Sequence, residues 1–219
     1  MIEIYITNLG KYVEGALCGE YLKLPATRED VKALLSRIGV DGVRYEEIFI
    51  TDYETEIEGL SKHMGEYESV DELSYLAVLL SGMNDWDMKK FEAVLEYGEY
   101  TGSVKDLINL TQNLDCYEYN PDIMSDQELG YYYVDELGVL EVPDYLTNYI
   151  DYEAYGRDIR MDEGGLFTDN GYVTDGRDTF TEYYGGRDDL PNEHRIFSYP
   201  EQLEVIPDDQ SLKLTLKPR

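Results

Sequence analysis

The stretch MIEIYIT (residues 1–7) places an isoleucine at every second position, with polar or aromatic residues between them. Such alternation is typical of a β-strand with one buried face. Beyond a turn at residues 8–10, the pattern predicts short returning strands over Lys11–Val13 and Tyr21–Leu24, and a further strand over Tyr45–Tyr53. The chain is therefore expected to begin with a small sheet.

A helix is predicted within the same unit. Thr27 is a hydroxyl N-cap, and Glu29 and Asp30 place negative charge in the first helical turn. Gly39 marks the end of the helix. The apolar residues at helical spacing are Val31, Leu34, Leu35 and Ile38. Strands and helix together predict an α+β domain over residues 1–60.

Residues 61–112 change to helical periodicity. Ser69 with Glu72 forms a capping box, and Asn84 and Ser103 are N-caps for two further helices. Their inward apolar residues are Leu73, Leu76, Ala77, Leu80, Met88, Phe91, Val94, Leu95, Leu107, Ile108 and Leu110. Short helices joined by brief turns predict a compact helical domain.

The third part of the chain mixes both patterns. A strand is predicted over Cys116–Tyr119, and Ser125 with Glu128 forms a capping box before another helix. Pro143 suits the first turn of a helix with Leu146, Tyr149 and Ile150 behind it. These features predict a second α+β domain, followed by an extension whose role stays open. The predicted bounds of these last two regions are 113–184 and 185–219.

Net charge is the outlying property of the sequence. Eighteen Lys and Arg residues face 47 Asp and Glu residues, which gives a net charge of −29, and positions 106–156 contain no basic residue. A charge of this size repels nucleic acid and membrane surfaces and attracts a basic partner. At the charge density of B-DNA, 29 charges would match roughly 49 Å of duplex. A uniformly acidic surface would have the same total, so the total alone demonstrates feasibility only.

The acids are interleaved with tyrosine, of which the chain has 22. Examples are Tyr45-Glu46-Glu47, Asp52-Tyr53-Glu54, Glu66-Tyr67-Glu68, Tyr117-Glu118-Tyr119 and Asp151-Tyr152-Glu153. Tyrosine is enriched at protein interfaces, and arginine both pairs with acids and stacks on aromatic rings. The pattern suits a surface that binds basic residues through ion pairs and stacking, although packing in the core accounts for many tyrosines equally well.

Catalytic and metal-binding motifs are scarce. Cys18 and Cys116 lie far apart without a CxxC motif, and His63 and His194 are the two histidines. The sequence at 169–178 resembles a calcium loop superficially but lacks the spaced acids and the distal Glu. Paired carboxylates of the glycosidase kind would arise by chance among so many acids. No signal peptide or membrane span is apparent. We expect a soluble cytoplasmic protein that is not an enzyme and needs no cofactor.

Several stretches resemble the ArdA family of antirestriction proteins. They are IYITNLGKYVEG at 4–15, EEIFITDYE at 46–54, GEYES at 65–69, SVDELSYLA at 69–77 and, above all, LGVLEVPDYLTNYIDYEAYGRDI at 137–159. The resemblance covers roughly residues 1–184. It implies an elongated, curved homodimer of three small domains that imitates bent B-DNA. Such proteins are carried by conjugative plasmids and transposons and inhibit type I restriction–modification enzymes by occupying the DNA-binding groove of the methyltransferase core.

The resemblance also implies which residues act. Phosphate mimicry would fall to exposed acids, for which we select Glu46, Glu47, Asp52, Glu54, Glu56, Glu58, Glu66, Glu68, Asp71, Glu72, Asp85, Asp87, Asp115, Glu118, Asp122, Asp126, Glu128, Asp135 and Glu136. The antirestriction motif, at or near the dimer contact, comprises Leu140, Val142, Pro143, Leu146, Tyr149, Ile150, Tyr152, Tyr155 and Arg157. Arg157 is expected to pair with Asp151 or Asp158 as an internal strut. The apolar stripe of this motif, formed by Val142, Leu146, Tyr149 and Ile150, is one that two copies could share about a two-fold axis, and packing within one chain explains it equally well.

Two other classes of function stay open. An acidic adaptor that binds a different basic, DNA-binding protein would show the same charge. An enzyme built on carboxylates would be recognised by sharp, saturable stabilisation with one divalent ion.

Overall fold

The computed structural model describes residues 1–143 and 145–201. Its first sheet is antiparallel, with strand order β2-β1-β3. Strand β1 (Ile2–Asn8) pairs on one side with β2 (Gly19–Leu24) and on the other with β3 (Ile48–Thr55). The alternating isoleucines of β1 are buried, as the sequence predicts, so the opposite face of the sheet carries the polar and aromatic residues.

Two predictions around this sheet need correction. The strand predicted over Lys11–Val13 is wrong, because these residues belong to helix α1 (Leu9–Val13). The Asn8 side chain accepts a hydrogen bond from the Lys11 backbone N–H and so caps a helix where the pattern indicated a turn. Strand β3 starts at Ile48 rather than Tyr45, because the Asp41 carboxylate holds the preceding backbone N–H groups in a turn.

Helix α2 (Arg28–Ile38) covers the buried face of the first sheet. Thr27 and Asp30 form a reciprocal capping box at its start. At its end Gly39 adopts φ +78°, a left-handed conformation that glycine reaches without strain. The four apolar residues that the sequence predicts to face inward are all buried. The prediction of this helix is confirmed.

Three helices form the middle of the molecule: α3 (Val70–Ser81), α4 (Asp85–Tyr97) and α5 (Val104–Leu110). Their N-caps are the predicted Ser69, Asn84 and Ser103, each of which accepts a backbone N–H. The box predicted between Ser69 and Glu72 is only half formed, because the Glu72 carboxylate turns to other partners.

The second sheet is also antiparallel, with order β4-β6-β5. It consists of β4 (Tyr117–Asn120), β5 (Leu166–Thr168) and β6 (Gly171–Asp175). A single connected core of buried side chains runs from the first sheet through the middle helices to this sheet, where Tyr117 and Val173 belong to it. Over the described residues the protein is α+β, as predicted, with seven α-helices and two three-stranded sheets.

Two further helices lie against the second sheet. Helix α6 (Asp126–Tyr131) continues into a π-helical segment at Tyr132–Glu136, and it packs closely on α7 (Tyr152–Glu163). The prediction that a helix begins at Pro143 is wrong. The chain forms a short 3₁₀ turn at Thr147–Tyr149, and Asp151 caps α7 by accepting the Ala154 N–H.

After β6 the chain crosses back over the molecule. Residues 176–201, here called the strap, run from the second sheet past α5 and α3 to α2. Leu190 and Ile196 of the strap are buried in the main core. The predicted extension thus begins inside an integral segment of the fold, while residues 202–219 lie outside the described residues.

Candidate protein-interaction surface

Most of the acids selected from the sequence lie on the surface. Fourteen of the 19 are exposed: Glu46, Glu47, Asp52, Glu54, Glu56, Glu58, Glu66, Asp85, Asp115, Glu118, Asp122, Glu128, Asp135 and Glu136. Four are partly buried: Glu68, Asp71, Asp87 and Asp126. They belong to several separate elements, so the exposed acids are spread along the chain rather than gathered in one cleft.

The outer face of the first sheet brings several of these acids together. Glu54 lies directly opposite Glu3 in the ladder, and Asp52 lies opposite Tyr5. The Tyr21 hydroxyl, on the other neighbouring strand, donates a hydrogen bond of 2.6 Å to Asp52. Like charges that face each other across two strands are destabilising. Their presence here costs folding free energy and favours a cationic partner.

Sequence reasoning missed Glu3 as a surface acid. Its position was readable, because the alternation that buries the isoleucines of β1 also places Glu3 on the opposite face. The strand register could not be derived from the sequence, and it is this register that places Glu3 beside Glu54, about 50 residues later in the chain. Tyr5 and Tyr21 stand next to these acids, with ring centroids 4.8 Å apart in an edge-to-face contact.

Few of the acids are neutralised within the chain. Of the 47 acidic residues, four lie outside the described residues and eight form ion pairs with described cations, which leaves 35. The pair of Arg37 with Glu20 is the best formed on the surface, and it lowers the pKa of the Glu20 carboxyl. Those of the remaining carboxylates that are exposed are available to external cations or to water.

Glu72 does not fit the prediction of an exposed phosphate mimic, which is wrong for this residue. It is 6% exposed and accepts hydrogen bonds of 2.9 Å from both the Tyr184 hydroxyl and Arg187 Nε. The strap covers it, and no local sequence pattern indicates a partner more than 100 residues away. Glu72 therefore stabilises the fold.

The partly buried acids also have partners inside the chain. Asp71 accepts the backbone N–H groups of Ile196 and Phe197. Asp126 pairs with Arg160, with 2.7 Å between Oδ1 and Nε, and so joins α6 to α7. For these acids much of the hydrogen-bonding capacity is already used, which makes them weaker candidates for contact with a partner protein.

A second surface feature is the apolar loop, which we define as residues 137–150 without the undescribed Asp144. It exposes large side chains that belong to neither core cluster: Leu137, Val139, Leu140, Tyr145, Leu146 and Tyr149. Tyr149 is 83% exposed and Tyr145 is 75% exposed. Exposed large apolar side chains concentrated in one segment in this way are typical of an interaction site.

The predicted antirestriction motif divides between the loop and helix α7. Leu140, Pro143, Leu146 and Tyr149 are exposed, and Val142, Ile150 and Tyr155 are partly buried. Tyr152 instead packs within the chain, where it is 8% exposed and its ring stacks on Tyr131 at 4.0 Å. The stripe proposed for a shared contact is therefore exposed at Leu146 and Tyr149 and partly buried at Val142 and Ile150.

Arg157 lies on the surface rather than inside. It is paired with Asp158, at 3.7 Å between Nη2 and Oδ1, and both side chains are more than half exposed. Asp151, the alternative partner, caps α7 instead. The expected pairing with Asp158 is present, but a solvent-exposed pair of this kind contributes little to stability, so the description of Arg157 as an internal strut is wrong.

Across the described ranges, no group of three or more His, Cys, Asp or Glu side chains is placed to hold a metal ion. In the part of the chain that the structure covers, no helix combines the length and apolarity that crossing a bilayer requires.

Together, the fold and the surface define an acidic α+β protein that has many exposed carboxylates without an ion-pair partner among the described residues and, in addition, an exposed apolar loop. The family model described as "Antirestriction protein (ArdA)" matches residues 4–174. The chain belongs to the ArdA family of antirestriction proteins, a membership that implies action against restriction enzymes. A search among curated proteins found no match.

Proposed function

We propose that this protein inhibits type I restriction–modification enzymes by imitating DNA. Its carboxylates stand in for phosphates and pair with basic residues of the enzyme's DNA-binding groove, so that DNA is excluded. The inhibitor acts stoichiometrically in the cytoplasm and performs no catalysis. The observation that carries the proposal is the set of 35 described carboxylates without an ion-pair partner among the described residues.

The spacing of the acids on the first sheet can be compared with the spacing of phosphates in DNA, and the comparison supports this proposal. Asp52 and Glu54 are two residues apart on β3, a separation of about 6.7 Å along a strand. One strand of B-DNA carries a charge every ~3.4 Å of axis. The row on β3 therefore has about half the charge density of one DNA strand, and Glu3 beside it brings the local density nearer to that of DNA.

The proposal makes the interaction a sum of many weak contributions. Each carboxylate that meets a basic residue releases counterions, as a phosphate does, so the affinity depends on how many acids are engaged. Substituting any single exposed acid is expected to change affinity only slightly. Neutralising several acids of one face would lower both the affinity and its dependence on salt.

The experiment is a competition titration. A type I methyltransferase bound to labelled DNA is titrated with this protein at several sodium chloride concentrations. We expect displacement of the DNA without a ternary complex, and an affinity that falls steeply as salt rises. Binding that is insensitive to salt, or a complex that holds both DNA and this protein, would contradict competition. Capture of a different basic protein in preference to restriction subunits would favour the adaptor alternative.

We further propose that the active form is an elongated, curved homodimer joined through the apolar loop. A two-fold contact would cover the exposed Leu146 and Tyr149 and would place two acidic surfaces in one continuous assembly. Joining two chains doubles the length of imitated DNA without any new residue. The exposure of these side chains and their absence from both core clusters support this arrangement.

The dimer is tested by Tyr149→Asp, which would place a charge in the proposed contact. We expect sedimentation of the parent protein as a dimer and of the variant as a monomer. Tyr67→Asp is the control, because Tyr67 is similarly exposed (68%) and lies on the first sheet side of the molecule. Dissociation by both substitutions, or by neither, would argue against the loop as the contact.

A further inference from the structure

The strap is held along its length by side chains that bind its backbone. Asn109, on α5, donates from Nδ2 to the Tyr184 carbonyl and accepts the Tyr184 N–H at Oδ1, both at 2.8 Å. Asn113, four residues later, makes the same pair of bonds with Thr181, both at 2.9 Å. Both asparagines are at most 5% exposed. Each side-chain amide thus pairs with both the backbone N–H and the carbonyl of one strap residue, as the backbone of a neighbouring β-strand would.

The middle of the strap is fixed by charge and packing. Tyr184 is buried and donates its hydroxyl to Glu72 of α3, while Arg187 donates to the other Glu72 oxygen. Earlier in the strap, the Phe180 ring stacks on Tyr100 with centroids 3.7 Å apart. A buried carboxylate with two donors is costly to disrupt, because losing either donor leaves charge without compensation.

The far end of the strap reaches the first sheet unit. Asp71 accepts the N–H groups of Ile196 and Phe197 at 2.8 and 2.6 Å. Arg28, at the start of α2, donates to the Arg195 carbonyl at 2.7 Å. The Tyr199 hydroxyl donates to the Glu46 carbonyl, next to the beginning of β3. The far end of the strap is therefore hydrogen-bonded to α3, to α2 and to the segment that precedes β3.

We propose that the strap is a brace that fixes the first sheet relative to the second, and so sets the spacing between their acidic surfaces. Its near end is anchored at the second sheet, where the Gly176 N–H donates to the Cys116 carbonyl. Its far end holds α2 and the residues before β3. The strap lies beyond the residues that match the family model, which end at 174.

A rigid layout matters for an inhibitor of the proposed kind. Acids that are already in place bind a rigid basic groove without an ordering cost, whereas acids on units that move relative to each other pay that cost on binding. The consequence for affinity rests on the function proposed above, but the brace itself does not. The two parts can therefore be tested by separate measurements.

The first variant is Asn109→Ala with Asn113→Ala, which releases the strap without changing net charge. The control is Gln112→Ala, because Gln112 lies beside these residues but is exposed. Spin labels at Ser36→Cys on α2 and Met161→Cys on α7, in a Cys18→Ser background, report the distance between the two ends. Cys116 is buried and is left in place. We expect a broadened distance distribution in the double variant and the parent distribution in the control.

A milder variant covers the case in which the double variant fails to fold. Asp71→Ser releases only the far end of the strap, and Asp85→Ser removes the same charge from an exposed position on α4. We expect trypsin to cut Asp71→Ser after Arg195, since the Asp71 carboxylate no longer holds the Ile196 and Phe197 N–H groups, and the label distances to broaden. The Asp85→Ser control is expected to resist the cut.

The affinity measurement completes the design. In the competition titration, the Asn109→Ala, Asn113→Ala variant is expected to bind the methyltransferase about tenfold more weakly, a loss of about 1.4 kcal/mol, with an unchanged salt dependence because its net charge is that of the parent. If trypsin shows a released strap but the label distances stay narrow, the brace is overturned. If the parent protein does not bind the enzyme at all, the proposed function fails, while the distances still decide whether the strap is a brace.

Discussion

At the residue scale, two buried tyrosines differ in the partners of their hydroxyl groups. The Tyr184 hydroxyl donates to Glu72, whereas the Tyr117 hydroxyl, on a side chain 2% exposed, has no hydrogen-bond partner among the described residues. A hydrogen bond to a charged group is worth about 1.5–3 kcal/mol, and an unsatisfied buried group costs a similar amount. The two hydroxyls are therefore expected to have opposite effects on stability.

Tyr184→Phe is predicted to lower the free energy of unfolding by about 1.5–3 kcal/mol, because Glu72 loses one of its two donors in a buried position. Urea unfolding followed by circular dichroism measures the change. The matched control is the neighbouring Tyr183→Phe, since Tyr183 is 62% exposed. Equal losses in both variants would mean that the Glu72 contact is not the cause.

Tyr117→Phe is predicted to leave stability unchanged or to raise it by about 1–3 kcal/mol, since it removes a buried hydroxyl that lacks a partner. The same unfolding experiment applies. A clear destabilisation would show that the hydroxyl is satisfied in solution, for example by an ordered water molecule.

Buried tyrosines also predict the response to alkaline pH. Burial raises the pKa of the Tyr117 and Tyr172 phenols above their usual value of about 10. A raised pKa means that the folded state keeps the neutral phenol where the unfolded chain ionises. This stabilisation is fully present below about pH 10 and is lost as pH rises through the folded pKa, by up to about 1.4 kcal/mol per pH unit for each such phenol.

The expected outcome is a free energy of unfolding that declines from about pH 10 upward, with late ionisation of a subset of tyrosines seen by tyrosinate absorbance. In Tyr172→Phe the decline should be shallower, because one phenol with a raised pKa is gone. Ionisation of every tyrosine together near pH 10, before any unfolding, would contradict the assignment.

At the scale of elements, the contact between α6 and α7 depends on two glycines. A Cβ atom at Gly156 would overlap the Asp126 carbonyl oxygen, and one at Gly130 would overlap the Tyr152 carbonyl oxygen. The two helix backbones are therefore in direct contact, and the Asp126–Arg160 pair reinforces the crossing. Backbone cannot move aside as a flexible side chain can, so these positions tolerate no side chain.

Gly156→Ala is predicted to destabilise the protein by about 3 kcal/mol or more, because the added methyl group forces α7 away from α6. Thermal unfolding monitored by calorimetry measures the loss. Gly82→Ala is the control, because a Cβ there would lie at an ordinary 3.4 Å from the Leu79 carbonyl oxygen and φ is −85°. A Gly156→Ala protein as stable as the Gly82→Ala protein would disprove the direct backbone contact.

At the scale of the whole molecule, the surplus of acids opposes folding. A net charge of −29 repels itself in the compact state, and the described ion pairs engage only a small part of it. Repulsion also acts locally, because Glu3 and Glu54 face each other across two strands of the first sheet. A protein that keeps this repulsion has a use for it outside folding, which agrees with the function proposed above.

Sodium chloride is therefore predicted to stabilise the protein. Raising salt from about 0.01 M to about 1 M shortens the Debye length from about 30 Å to about 3 Å. Screening of the repulsion is expected to add on the order of 1–2 kcal/mol, or about 2–8 °C in the melting temperature of a chain of this length. Differential scanning fluorimetry checks this, and a melting temperature that falls with added salt would contradict a net repulsive surface.

The sequence by itself determined the local structure of the fold and the sign of the surface. Alternation identified β1, and the predicted N-caps Thr27, Ser69, Asn84 and Ser103 are observed, because a cap depends on residues within one turn. Fourteen of the 19 selected acids are exposed, because isolated carboxylates are rarely buried. Family membership was likewise evident from local motifs.

Only the tertiary structure decided which residues meet across long separations. It placed Glu72 under a strap 112 residues away, set Glu3 against Glu54, and left the apolar loop outside both cores. Each outcome depends on register or packing between distant segments, which no short pattern encodes. The physical reason is that burial is a property of the assembled molecule, whereas capping and alternation are properties of a few neighbouring residues.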